Sequence, residues 1–182
     1  MFTGHFAVAL GAAGVARRVP FALLLGAAFA GDITEAVVAA VNEVDPTRAW
    51  SHSLPATAVA GVVLAVAWRA RGGTSREAVV ILIAAMSHTF LDFLTGYKTL
   101  VPGLPPFGLR LYAKPLVNYA LEVCAVLVGW RIWRNALPSG PRSAESAWAM
   151  LAMLLIIQTV VSAAVIILGL DLSADGNSKF VR

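Results

Sequence analysis

Cysteine and charged residues are both scarce in this chain. Cys124 is the only cysteine among 182 residues, so a disulfide within the chain and a paired-cysteine metal site are both excluded. Only 13% of the residues are charged, whereas a soluble domain carries about a quarter. The composition therefore excludes an ordinary soluble domain.

The basic residues form no continuous basic surface, although the net charge is +4. They stand singly or in pairs between apolar stretches, and no aromatic-basic surface exists outside those stretches. A nucleic-acid-binding protein needs such a patch or stripe. We therefore expect no nucleic-acid partner and interpret these residues as membrane topology signals.

Long apolar runs dominate what is present, with 59% hydrophobic residues and a mean hydropathy of +0.78. Breaks rich in Arg, Gly and Pro separate six apolar segments, at residues 3–16, 20–44, 53–70, 76–96, 112–135 and 144–170. A helix needs about 20 apolar residues to cross the bilayer core. The sequence predicts an all-α fold, a polytopic membrane bundle of about six helices that forms one domain over residues 1–182.

Six crossings would divide the loops between two sides of the membrane. Eight Lys and Arg residues fall on one side, in tight clusters within short loops, and six on the other. The positive-inside rule places the first side in the cytoplasm, so we expect both termini on the outer side.

Several ionisable side chains interrupt the apolar segments. In this topology all three histidines fall towards the outer side: His5, His52 and His88. Four carboxylates also lie within the segments: Asp32, Glu35, Asp92 and Glu122. A charge at the centre of a membrane helix costs about 3 kcal/mol on insertion scales, so such residues usually face the bundle interior and act there.

The spacing of these residues favours a metal site. His88 and Asp92 are separated by four residues, and Asp32 and Glu35 by three, so each pair shares one helix face. A divalent cation would offset the cost of burying the carboxylates. Histidine and aspartate ligands with one open position suit zinc, or manganese if carboxylates dominate.

Structural explanations compete with this interpretation. A lone histidine at a membrane interface, such as His5, is more often a hydrogen-bonding surface residue. Glu35 and Glu122 could each pair with a basic residue or a backbone donor elsewhere in the bundle.

The order of four short motifs carries a family resemblance. The motifs are Gly4-His5, Gly31-Asp32-Ile33-Thr34, Trp50-Ser51-His52-Ser53 and Ser87-His88-Thr89-Phe90-Leu91-Asp92. The chain resembles the bacterial inner-membrane family of membrane-bound, metal-dependent hydrolases, also called LexA-binding inner-membrane-associated hydrolases. The resemblance covers residues 1–107, while the C-terminal helices, at 112–170, match only in being apolar.

This resemblance implies a multi-pass protein of the bacterial inner membrane with a hydrolytic metal site. It implies four metal ligands, His5, His52, His88 and Asp92, with Asp32 as a further ligand or general base. The spacing adds Glu35 as a second catalytic carboxylate. Thr34 stands where the family has its second Asp, and Thr47 where it has another His. These departures favour one metal over two, or a site that has lost catalysis.

The leading hypothesis is a hydrolase that acts at the outer leaflet on a phosphoester or lipid-linked substrate. Arg48 would hold an anionic lipid headgroup, since guanidinium matches phosphate geometry, although ordinary interfacial anchoring explains it equally well. Two rivals stay open. One is a metal or proton transporter, which needs acidic groups through the full membrane depth, and the other is a non-catalytic membrane subunit or scaffold. The sequence indicates membrane lipid as a partner and identifies no protein partner.

Overall fold

A computed structural model describes residues 2–41, 51–96, 99–101 and 104–168. In these ranges the chain forms seven α-helices and one short 3-10 helix at Leu111–Ala113. The α-helices are α1 Phe2–Val15, α2 Phe21–Ala28, α3 Ala30–Val41, α4 Leu54–Ala70, α5 Ser75–Thr95, α6 Pro115–Ala136 and α7 Pro141–Leu168. The predicted all-α fold is confirmed.

Local sequence signals set the helix ends. Thr74 and Glu77 form a capping box at the start of α5, where each side chain binds the backbone N–H of the other residue. The indole of Trp68 also donates to Glu77, at 3.2 Å. Gly72 adopts a φ of +87° in the turn between α4 and α5, a conformation that glycine takes at low cost.

The second predicted segment is two helices, not one. The chain leaves helical geometry at Phe29, between α2 and α3, although the Phe29 amide still bonds to the carbonyl of Leu25. The end predicted for this segment, residue 44, lies outside the described residues. The other five segments each correspond to one helix, with ends that shift by a few residues, except that the predicted end at residue 170 also lies outside the described residues.

Helix α1 lies at the centre of the described bundle and contacts α2, α5, α6 and α7. Its closest neighbour is α6, because Gly129 of α6 lies against the backbone of Ala7. A Cβ at position 129 would overlap the Ala7 carbonyl. Small residues allow membrane helices to approach in this way. Helix α1 is therefore fixed on two sides, by α2 and α5 on one and by α6 on the other.

The outer surface of the bundle is strongly apolar. On α7, Ile156 is 63% exposed, Val160 62% and Ile167 79%. By length and composition, α5, α6 and α7 can each cross a membrane, and the helices Thr3–Val15 and Leu54–Ala70 are apolar but shorter. The membrane character is therefore confirmed, and the number of six crossings stays a prediction.

Candidate metal centre

Four separate parts of the described chain bring the predicted site residues together. His5 comes from α1, Asp32 from α3, His52 from the turn before α4, and both His88 and Asp92 from α5. Each contributes one nitrogen or oxygen to one of two groups, His5–His88–Asp92 and Asp32–His52–His88, and within each group these atoms lie within 4.8 Å of one another. Residues up to 87 positions apart in sequence therefore form one cluster.

His88 is the most enclosed member, with no exposed surface. Its Nδ1 lies 3.0 Å from the carbonyl oxygen of Ala28, so the Nδ1–H donates to that carbonyl. This bond leaves Nε2 as the unprotonated nitrogen, and Nε2 has no hydrogen-bond partner among the described residues. Metal-binding histidines usually have one nitrogen held by a backbone carbonyl and the other directed at the ion.

The two nitrogens of His52 also face different partners, but here both are hydrogen-bonded, Nδ1 to Ser51 and Nε2 to Asp32. Its Nδ1 lies 2.8 Å from the hydroxyl of Ser51 and 3.3 Å from Oε2 of Glu35. Its Nε2 points the other way, at 3.1 Å from Oδ1 of Asp32 and 3.7 Å from Oδ2 of Asp92. Glu35 therefore contacts the outer nitrogen of a histidine, and the two aspartates face the inner nitrogen.

The inner atoms have the spacing of a coordination shell. Nε2 of His88 lies 3.5 Å from Oδ2 of Asp92 and 3.8 Å from Oδ1 of Asp32. Ligand atoms at about 2.1 Å from a tetrahedral zinc ion are about 3.4 Å apart. Within the described ranges, the buried Oδ2 of Asp92 also has no hydrogen-bond donor. Two imidazoles and two carboxylates therefore fit a divalent cation.

His5 extends the cluster on the side of α1. It is 2% exposed, and its ring centroid lies 4.4 Å from that of His88 and 4.9 Å from that of Phe29. A surface role for His5 is therefore wrong. The side chain of Asp32 is 50% exposed, which makes it the most accessible member of the cluster.

Gly31 provides the space for His88. A Cβ at this position would overlap Nε2 and Cδ2 of the imidazole, so any other residue would displace the ring or the helix. Sequence reasoning assigned no role to this glycine. The one feature of the sequence that could have indicated its role is its position directly before Asp32.

Two of the remaining predicted positions lie outside the described residues: Thr47 and Arg48. Thr34 is described, and its hydroxyl donates to the carbonyl of Ala30, 2.7 Å away within the same helix. Thr34 therefore binds its own helix backbone. Glu35 is the second carboxylate that α3 brings to the cluster.

Glu122 lies beside the first turn of α1, buried to 3% exposure. It accepts hydrogen bonds from the backbone N–H groups of Thr3 and Gly4, at 3.0 and 3.3 Å. Of the two partners that the sequence left open for it, a basic residue or a backbone donor, the structure has the backbone donor. Glu122 therefore stands at the same end of α1 as His5.

Fold and site together define an all-α membrane protein with a buried His/Asp cluster at one end of its helix bundle. The family model for the YdjM inner membrane protein matches residues 1–167, and the chain belongs to this family. The expected inner-membrane family is thereby confirmed, and the match includes the helices that had no motif. No curated protein and no solved structure matches the chain.

Proposed function

We propose that this protein is a membrane-embedded hydrolase that uses one divalent cation, with zinc preferred and manganese as the alternative. The single observation that carries the proposal is the convergence of two imidazole nitrogens and two carboxylate oxygens at 3.1 to 3.8 Å. Burial of the Asp92 carboxylate beside two imidazoles in a membrane bundle is costly unless a cation or proton joins them.

The residues have distinct parts in this proposal. His52, His88 and Asp92 hold the cation, with His5 as a further ligand from α1. When bound, the cation would polarise a phosphoryl or acyl oxygen and lower the pKa of a coordinated water. Asp32, half-exposed at the edge of the cluster, would be the group placed to accept a proton as general base.

The sequence predicts Glu35 as a catalytic carboxylate, but in the structure Glu35 contacts the outer nitrogen of His52 and not the inner atoms of the cluster. Its carboxylate lies 3.3 Å from Nδ1 of His52, beside the Ser51 hydroxyl that hydrogen-bonds the same nitrogen at 2.8 Å, and would favour the ring orientation that turns Nε2 towards the cation. A carboxylate behind a metal-binding histidine also increases the basicity of the ligand nitrogen. We propose Glu35 as a positioning residue for His52.

The substrate that best suits this site is an amphiphile with a phosphoester or acyl ester group, since the cluster lies within a membrane bundle. A transporter would need acidic groups along the whole membrane depth. Among the described residues, Asp32, Glu35 and Asp92 lie around His52 and His88, and Glu122 lies at the first turn of α1. This clustering favours the hydrolase.

The first test is the metal content of the purified protein in detergent. The wild type and a His88→Ala, Asp92→Ala double variant are compared by elemental analysis after equal exposure to zinc and manganese. We expect near-stoichiometric metal in the wild type and none in the variant. A screen of phosphoester and acyl ester substrates then follows with metal-loaded protein.

A matched control replaces Glu145, an exposed carboxylate on α7, by Gln. This variant should keep the full metal content. A folded wild type that takes up no metal would contradict the proposal and favour the scaffold alternative. Metal uptake without hydrolysis of any substrate would favour transport or a site that has lost catalysis.

A further inference from the structure

A second buried polar cluster joins the two C-terminal helices to the first turn of α1. Glu122 of α6 accepts from the hydroxyl of Thr3 at 2.7 Å, in addition to its two backbone bonds. Asn118 donates its side-chain amide to the other oxygen of Glu122, at 3.1 Å. Gln158 of α7 lies 2.6 Å from the same Thr3 hydroxyl. Three helices thus meet at Thr3.

Glu122 acts as a helix cap supplied from another part of the chain. The first N–H groups of an α-helix have no partner within the helix, and in a membrane water does not supply one. One carboxylate oxygen of Glu122 satisfies two of these groups in α1. Its negative charge also lies at the positive end of the helix dipole, which stabilises it there.

This cap fixes the position of His5, the residue that follows the capped N–H groups in α1. Thr3 and Gly4 carry the capped N–H groups, and His5 is the next residue along α1. One turn further on, Gly129 of α6 lies directly against the backbone of Ala7. Helix α1 is therefore held to α6 on both sides of His5, by hydrogen bonds before it and by backbone contact after it.

We infer that Glu122 is a positioning residue of the metal site, which sets the place of His5 by capping α1, with Thr3 and Gln158 as its supports. The inference rests on the proposed metal site. It gives the C-terminal helices a part in metal binding, although no ligand comes from them.

Glu122→Gln is the sharpest variant, because it keeps the shape and removes the charge. The amide oxygen of Gln can still face α1, and its NH2 would then meet Asn118. Oδ1 of Asn118 has no partner, so rotation of that amide would restore a hydrogen bond. A folded variant is therefore expected. Thr3→Val, which removes only the hydroxyl, is the second variant.

The readout is the affinity for cobalt(II) and the visible spectrum of the cobalt protein. We expect Glu122→Gln to weaken binding about ten- to hundredfold, as is typical when an outer partner of a metal site is removed. We also expect its spectrum to move towards that of His5→Ala. Thr3→Val should change both in the same direction by a smaller amount, and Glu145→Gln should change neither.

A double-mutant cycle separates positioning from a general structural role. If Glu122 acts through His5, the change Glu122→Gln should have no further effect on cobalt affinity in a His5→Ala protein. An equal loss in both backgrounds would overturn the inference, as would wild-type affinity and spectrum in both the Glu122 and Thr3 variants. A wild type that takes up no cobalt would overturn the proposed function and this inference together.

Discussion

Replacement of Gly31 by Ala tests whether the close contact between α3 and His88 builds the metal centre. Alanine is intrinsically better than glycine in a helix by about 1 kcal/mol. A Cβ at position 31 would, however, occupy the space of the His88 imidazole. Insertion of a methyl group into a well-packed region typically costs about 1 to 3 kcal/mol.

Gly26, in the neighbouring helix α2, provides a matched control. Among the described residues, a Cβ at position 26 meets no atom within 4 Å. Gly26→Ala therefore gains the helix preference of alanine over glycine and creates no steric overlap. We expect Gly26→Ala to be neutral or stabilising by up to about 1 kcal/mol. Gly31→Ala should be less stable than Gly26→Ala by about 1 to 3 kcal/mol.

The assays are thermal unfolding in detergent without metal and a chelator competition for zinc affinity. Displacement of His88 should weaken zinc binding at least about tenfold in Gly31→Ala, and Gly26→Ala should bind as the wild type does. If Gly31→Ala were stabilised as much as the control and kept wild-type zinc affinity, the argument from the His88 contact would be refuted.

Three further outcomes are expected. Glu35→Gln should lower zinc affinity about ten- to hundredfold in the chelator competition, because it removes the carboxylate behind His52. Thr57→Val should lower the unfolding free energy by about 0.5 to 1.5 kcal/mol in detergent, because it removes the 2.8 Å bond between the hydroxyls of Thr57 and Thr89, while the Thr89 hydroxyl still donates to the His52 carbonyl. Free zinc at about 100 times its Kd should raise the unfolding free energy by about 2.7 kcal/mol, and a chelator should abolish the increase. An unchanged zinc Kd in Glu35→Gln would contradict the first prediction, and an unchanged unfolding free energy in Thr57→Val would contradict the second. The third would be contradicted if zinc did not raise the unfolding free energy, or if a chelator left the increase in place.

Hydropathy predicts most of this fold, because lipid imposes a simple constraint on helix length and composition. It does not predict the break at Phe29, which lies within an unbroken apolar run and has no proline beside it. The break depends on tertiary contacts, including the bond from His88 to the carbonyl of Ala28. A single segment of sequence carries no record of such contacts.

The residues of the proposed metal site could be predicted from sequence, because each histidine and aspartate is unusual in an apolar segment. The pair His88 and Asp92 even shares one helix face. The supporting residues Gly31 and Glu122 could not be predicted from sequence, for a different reason. Gly31 acts through the absence of a side chain, and Glu122 bonds to a residue 119 positions away, so neither produces a local pattern.

The long separation between Thr3 and Glu122 also orders events during synthesis. Helix α1 is made before α6, and Glu122, which caps α1, follows Thr3 by 119 residues. At about 5 to 20 residues per second, this takes roughly 6 to 24 s. By the end of that interval the nascent chain already carries His5, His52, His88 and Asp92, yet α1 has lacked its cap until then. On the proposed function, a truncated product that ends before α6 should therefore bind the cation weakly.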